Sequence, residues 1–204
     1  MKRIFLLATI LTVILADVAL PTLQGNANTF MLNGDVKLIY SIYNNMINVV
    51  VTVTNKGGIG VGLGGMVMAN VDVAHFWYDG SKVQLADRNY INPTGPAIVL
   101  TDVERGGTSD FVDNGTTYDT ATGNWVINFS RKLNTNDKYD NPVVDGTNMQ
   151  VSVAEFPSHT WGAQHTVAFY QTIPMTSKVY TGSMSNCAQL GFMMFVLIGL
   201  LSLI

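Results

Sequence analysis

Between its two apolar ends the chain shows no run of helical period. Short β-branched and aromatic stretches alternate with Gly, Asn and Asp clusters instead, a pattern that restricts it to an all-β fold. Val36 to Ile42 alternates around Leu38 and Tyr40, and Tyr43-Asn44-Asn45 supplies a turn. Met46 to Thr54 is rich in β-branched residues, with Val49, Val51 and Val53 on one face. Asn55-Lys56-Gly57-Gly58 is the next turn, and Ile59 to Leu63 resumes with glycine at alternate positions. Glycine weakens a strand, so its repetition implies close approach of another backbone or a ligand. Val71 to Tyr78 and Lys82 to Leu85 form a hairpin about Asp79-Gly80. Asn92-Pro93-Thr94-Gly95-Pro96 breaks the chain, and Thr101 to Asn124 holds one or two short strands at most. Trp125 to Phe129, Met149 to Phe156 and Thr166 to Thr172 complete the set. Strands of this length and spacing make an antiparallel β-sandwich of one domain.

The ends address the chain to a membrane. Lys2 and Arg3 precede an apolar core from Ile4 to Leu15, and small residues Ala16 and Ala19 follow, so residues 1–19 read as a secretory signal peptide. Residues 181–204 run from a small polar stretch, with Gly182, Ser183, Ser185 and Asn186 as attachment candidates, into a terminal apolar tail. This is the form of a GPI-attachment signal. The alternative is a short membrane helix, although about 15 apolar residues underspan a bilayer core of roughly 30 Å. Both readings hold residues 20–180 outside the cell, at the outer face of the plasma membrane. The single cysteine, Cys187, falls in the tail, so sheet packing rather than a disulfide must hold the domain. A net charge of −3 without a basic patch argues against nucleic acid. Asn114-Gly115-Thr116 and Asn128-Phe129-Ser130 fit the N-glycosylation pattern, with Asn128 inside a strand.

Two motifs carry a family resemblance. In Trp125-Val126-Ile127-Asn128-Phe129-Ser130-Arg131-Lys132-Leu133-Asn134-Thr135-Asn136-Asp137-Lys138-Tyr139-Asp140, a strand ends in a basic pair and an Asp-rich turn. It resembles the late "F-x-R-x-L-x-T-x-D-x-x-D" motif of DOMON domains. Gly58 to Val73 resembles that family's glycine-rich strand followed by "M-x-x-x-D", with Met68 and Asp72 at those places. The resemblance covers Phe30 to Gln171. It implies an Ig-like sandwich that binds haem b or another small ligand, and a structural aspartate at Asp72; Arg131 is its type of partner or a surface residue.

The same resemblance implies axial iron ligands at Met68 and His165; Met66, Trp161, Phe76 and Phe169 are candidate pocket residues. Thioether and imidazole are both haem ligands, and the thioether raises the potential. With both axial positions filled, electron transfer is favoured over bond chemistry, so the chain reads as a one-electron carrier rather than an enzyme. The absence of Cys-x-x-Cys-His makes any haem noncovalent. The partner implied is a redox protein such as a transmembrane b-type cytochrome.

The ordinary readings stand beside these. Methionine in a β core is usually filler, and strand alternation puts Met66 and Met68 on one face. His159 rivals His165, whereas His75, between Ala74 and Phe76, reads as structural. Asp102, Glu104, Asp110 and Asp113 could bind calcium, but they lack EF-hand spacing and fit solvated turns. Without iron, the aromatics would suit a carbohydrate or small-ligand module, and a structural surface protein is the third reading.

Overall fold

The computed structural model describes residues 21–65, 71–91, 98–160 and 164–179. The signal segment, the C-terminal tail, Met66, Met68 and Trp161 lie outside the described residues. Twelve strands are present: β1 (Ala27–Asn33), β2 (Val36–Tyr43), β3 (Met46–Thr54), β4 (Ile59–Leu63), β5 (Asp72–Tyr78), β6 (Val83–Ile91), β7 (Ile98–Thr101), β8 (Val112–Asp113), β9 (Thr117–Asp119), β10 (Asn124–Lys132), β11 (Thr147–Glu155) and β12 (Val167–Met175). A single 3₁₀ turn, Val103–Arg105, is the only helical element among the described residues, and none of these forms a helix able to cross a membrane.

Every strand pair is antiparallel. The first sheet runs β1-β2-β3-β10-β8, with β9 also beside β10, and the second runs β12-β11-β4-β5-β6-β7. This is the expected two-sheet sandwich. The turns form where their chemistry requires. Asn44 and Asn45 both adopt positive φ between the paired Tyr43 and Met46, a two-residue hairpin loop matching the strand twist. At the next hairpin the Asp79 carboxylate accepts N–H bonds from Ser81 and Lys82, which hold it below the usual carboxylate range.

Alternation then decides what is buried between the sheets. Leu38 and Tyr40 of β2, Val49, Val51 and Val53 of β3, and Trp125, Ile127 and Phe129 of β10 meet Ile59, Val61 and Leu63 of β4 and Ala74 and Phe76 of β5. Side-chain bonds clasp the layers. The Tyr40 hydroxyl donates to the Pro174 carbonyl and accepts from Thr176 N at 3.1 Å. Trp125 Nε1 donates to the carbonyls of Asn55 and Gly57, both at 3.1 Å. Gly57 is forced by close approach, since a Cβ there would stand 2.0 Å from the Phe156 carbonyl oxygen.

Arg131 continues the inward series of β10 into the core, and Asp72 sits inward at the start of β5. They form an ion pair between the sheets, both side chains fully buried. Arg131 also donates to the Asn141 carbonyl, and Asn141 Nδ2 donates to the Leu63 carbonyl at 3.0 Å. The aspartate and arginine of the two sequence motifs are therefore partners.

Removing one member of such a pair leaves an uncompensated charge. Arg131→Met is expected to lower stability by about 3–5 kcal/mol. Arg131→Met with Asp72→Leu should lose less than Arg131→Met alone. Urea denaturation of the three proteins checks both the size and the order.

Candidate functional site

The face of the second sheet turned away from the core follows from the pairing register. One row runs Ala168, Ala154, Gly60, His75, Ala86, and the next runs Tyr170, Ser152, Gly62, Val73, Arg88. Small residues thus fill both rows on two adjacent strands, β11 and β4, and Ala168 of β12 extends one row, with Tyr170 the bulky exception on β12. A Cβ on Gly62 would meet Ser152 Oγ at 2.3 Å and Val71 Cγ1 at 2.6 Å. One on Gly60 would press on the Phe156 ring and on Val73, each at 3.3 Å. The glycines keep this floor low, and Phe156 and Val71 close over it.

His165 stands at one end of the floor. Thr166 N donates to the Glu155 carbonyl at 2.8 Å, which ties the segment beside the Ile59 end of β4. The half-buried His165 ring lies edge-on to Phe156, with centroids 6.4 Å apart. The segment containing Met66 and Met68 follows the opposite, Leu63 end of β4. Five strand residues span roughly 13 Å.

The three histidines have different surroundings. His75 is stacked on Trp77 at 5.1 Å and edge-on to Phe156 at 5.2 Å. Burial, and secondarily Arg88, push its pKa down to about 3, so it is neutral at ordinary pH. His159 sits among Tyr118, Trp125 and Tyr78, with centroids at 5.0, 6.0 and 6.1 Å. Its Nδ1 accepts the Tyr78 N–H at 3.2 Å. A neutral imidazole that accepts at Nδ1 carries its proton on Nε2 and has no lone pair there for a metal. That hydrogen bond commits His159 Nδ1 to the backbone of β5.

Phe76 and Phe169, expected around the ligand, fall on the other side of the sheet. Phe76 is fully buried between the sheets, 5.8 Å from Phe129, and Phe169 packs against the same core from β12. The cause is period-2 alternation: Phe76 follows His75, and Phe169 lies between Ala168 and Tyr170. Phe156 and Val73, which do line the outer face, carry no sequence signal beyond their strand register. Asn114 is exposed in a turn, whereas Asn128 is 7% exposed and its Nδ2 donates to the Asn114 carbonyl at 2.9 Å.

A DOMON domain family model matches residues 32–155. The chain belongs to the DOMON family. In fold it is similar to the cytochrome domain of Myriococcum thermophilum cellobiose dehydrogenase, at 11% identity and TM-score 0.52 over 75% of this chain and 83% of that one. The cytochrome b domain of pyranose dehydrogenase from Coprinopsis cinerea aligns at 17% identity and TM-score 0.48, over 71% of this DOMON chain and 80% of that one. No curated protein matches the sequence.

His75 makes the domain acid-sensitive. Its folded pKa, about 3, lies below the unfolded value of 6.5, so between these the unfolded chain binds the extra proton. Stability from this group is whole above pH 6.5 and is lost as pH falls, by up to about 1.4 kcal/mol per pH unit. Urea melts at pH 7, 6 and 5 should show a shallower acid slope for His75→Gln than for the native chain.

Proposed function

We propose that this DOMON domain binds haem b noncovalently and carries single electrons, with Met68 and His165 as the iron ligands. The observation that carries the proposal is the outer face of the second sheet. Gly60 and Gly62 lie beneath Phe156, Val73, Val71 and Ser152 there, the His165 imidazole stands at one end, and Met66 and Met68 follow the other end of β4 in the sequence. The fold it shares with a cytochrome domain supports the same reading. When bound, the haem iron supplies one-electron exchange between its ferrous and ferric states. The chain's own residues fix the ligand and shield it. His165 offers an imidazole uncommitted to a backbone bond in the manner of His159, and Phe156 and Val73 bring apolar surface to the floor. Ser152 is the polar group within it.

The ends of the sequence support a place at the outer face of the plasma membrane, reached through a signal peptide and held by a C-terminal anchor. A carrier there exchanges electrons with another protein, and a transmembrane b-type cytochrome is the partner class proposed. A second reading is favoured by Tyr170, which is 54% exposed on the same face. Such a ring suits stacking on a sugar, in a metal-free carbohydrate-binding module.

The full-length chain, produced with haem available and purified in detergent, should show a sharp Soret band and split bands on reduction. His165→Ala should abolish the split reduced bands, Met68→Leu should alter the spectrum and lower the potential, and His159→Ala should leave both unchanged. A folded, colourless protein overturns the haem reading and leaves the sugar-binding one.

A further inference from the structure

The charged end of the core contains more acid than its guanidinium groups can balance. Single carboxylate oxygens of Asp72, Asp87 and Asp140 lie within 4.8 Å of one another. Asp72 gives one oxygen to Arg131, and its Oδ1 meets no donor. Asp87, on β6, accepts the Asp110 N–H at Oδ2, 2.7 Å away, and its Oδ1 meets no donor. Asp140 has the Thr135 hydroxyl near it and Arg131 Nη1 at 3.8 Å.

Asp102 is the independent observation. It is fully buried, and neither carboxylate oxygen receives an N–H or O–H. Its carboxyl instead faces that of Asp140 at hydrogen-bonding range. Two carboxylates turned toward each other without a donor require either a proton or a cation between them. Against the four acids stand Arg131 and, beside Asp102, Arg105, whose Nη1 is bonded to Asn89 Oδ1 at 2.6 Å. Asp110 and Asp137 add to the negative side, so acid outweighs base here.

We propose that Asp72, Asp87 and Asp140 form a buried calcium site at this end of the sandwich, with Asp102 beside it against Asp140. The donors are all oxygen, with no histidine or cysteine in the group, which selects a hard cation. Oxygens this close can turn onto one cation, and calcium accepts flexible coordination at about 2.3–2.6 Å, whereas magnesium demands a near-ideal octahedron. Water completes the shell. Without a cation, burial and the facing acids push Asp87 up to about 8 and Asp102 up to about 7. The cation ties β5 and β6 to the 102–110 and 135–141 loops. The site is on the inner face and is independent of haem.

The test uses the full-length chain in detergent, stripped with EGTA and titrated with calcium by equilibrium dialysis and thermal melting. One calcium per chain should bind, and at saturation the Tm should rise by about 5–10 °C. Asp87→Asn should abolish the rise, and Asp113→Asn, on the exposed β8, should keep it. If Asp87→Asn does not fold, Asp140→Asn and the native stoichiometry decide. A native chain that retains no calcium at millimolar concentration, with the same Tm in EGTA, overturns the site in favour of shared protons. An equal rise with magnesium overturns the calcium assignment.

Discussion

The pair between Arg131 and Asp72 is the constraint on which the rest of the sandwich depends. Two charges fully removed from water are tolerable only if they meet, so β10 of one sheet and β5 of the other must stand in one register and at one depth. Arg131 is the last inward position of a strand whose other inward residues are Trp125, Ile127 and Phe129. Asp72 is the first inward position of β5. The Asn141 bridge, from the Arg131 guanidinium to the Leu63 carbonyl, then fixes the end of β4 in the same frame.

The opposite end of the sandwich is held by neutral bonds. Trp125 donates to the Asn55–Gly57 turn, and Asn55 Nδ2 donates to the Phe156 carbonyl at 2.9 Å. Gly58 exchanges backbone bonds with Phe156 and Ser158 at 2.9 and 3.0 Å. These bonds decide where Phe156 lies and hence how the outer floor is covered. They also carry His159 into its aromatic surroundings and commit its Nδ1 to Tyr78. The different surroundings of the two late histidines are thus a consequence of one turn packing beneath another.

Much of the fold was legible because alternation and turn chemistry are local. The strands at Met46–Thr54 and Ile59–Leu63 begin and end where their patterns do, and Asn44-Asn45 is the turn its residues imply. The strand expected over Lys82 to Leu85 instead continues to Ile91, because Asp87 and Asn89 face the buried charged end, and polar residues in a strand interior look like a turn. Asp102 and Asp113 belong to one acidic stretch, yet the first is buried and the second exposed. Nothing local separates them; the fold of residues 102–110 over the end of β6 does. Phe76 and Phe169 lie on the inner face because alternation turns neighbouring strand residues to opposite sides of the sheet.

That alternation also explains why so small a sheet can hold a charged interior and a glycine-containing exterior. In β5, Asp72, Ala74 and Phe76 face the core while Val73, His75 and Trp77 face outward. In β4, Ile59, Val61 and Leu63 face the core while Gly60 and Gly62 lie beneath the outer floor. A slip of one residue between these strands and their neighbours would exchange the two sets, burying the glycines and exposing the apolar residues. It would also carry Asp72 out of reach of Arg131. The buried pair therefore penalises the only registers in which the outer floor would fill with large side chains. The glycines stay beneath Phe156 and Val71 because an ion pair on the other side of the sheet holds the strands in place.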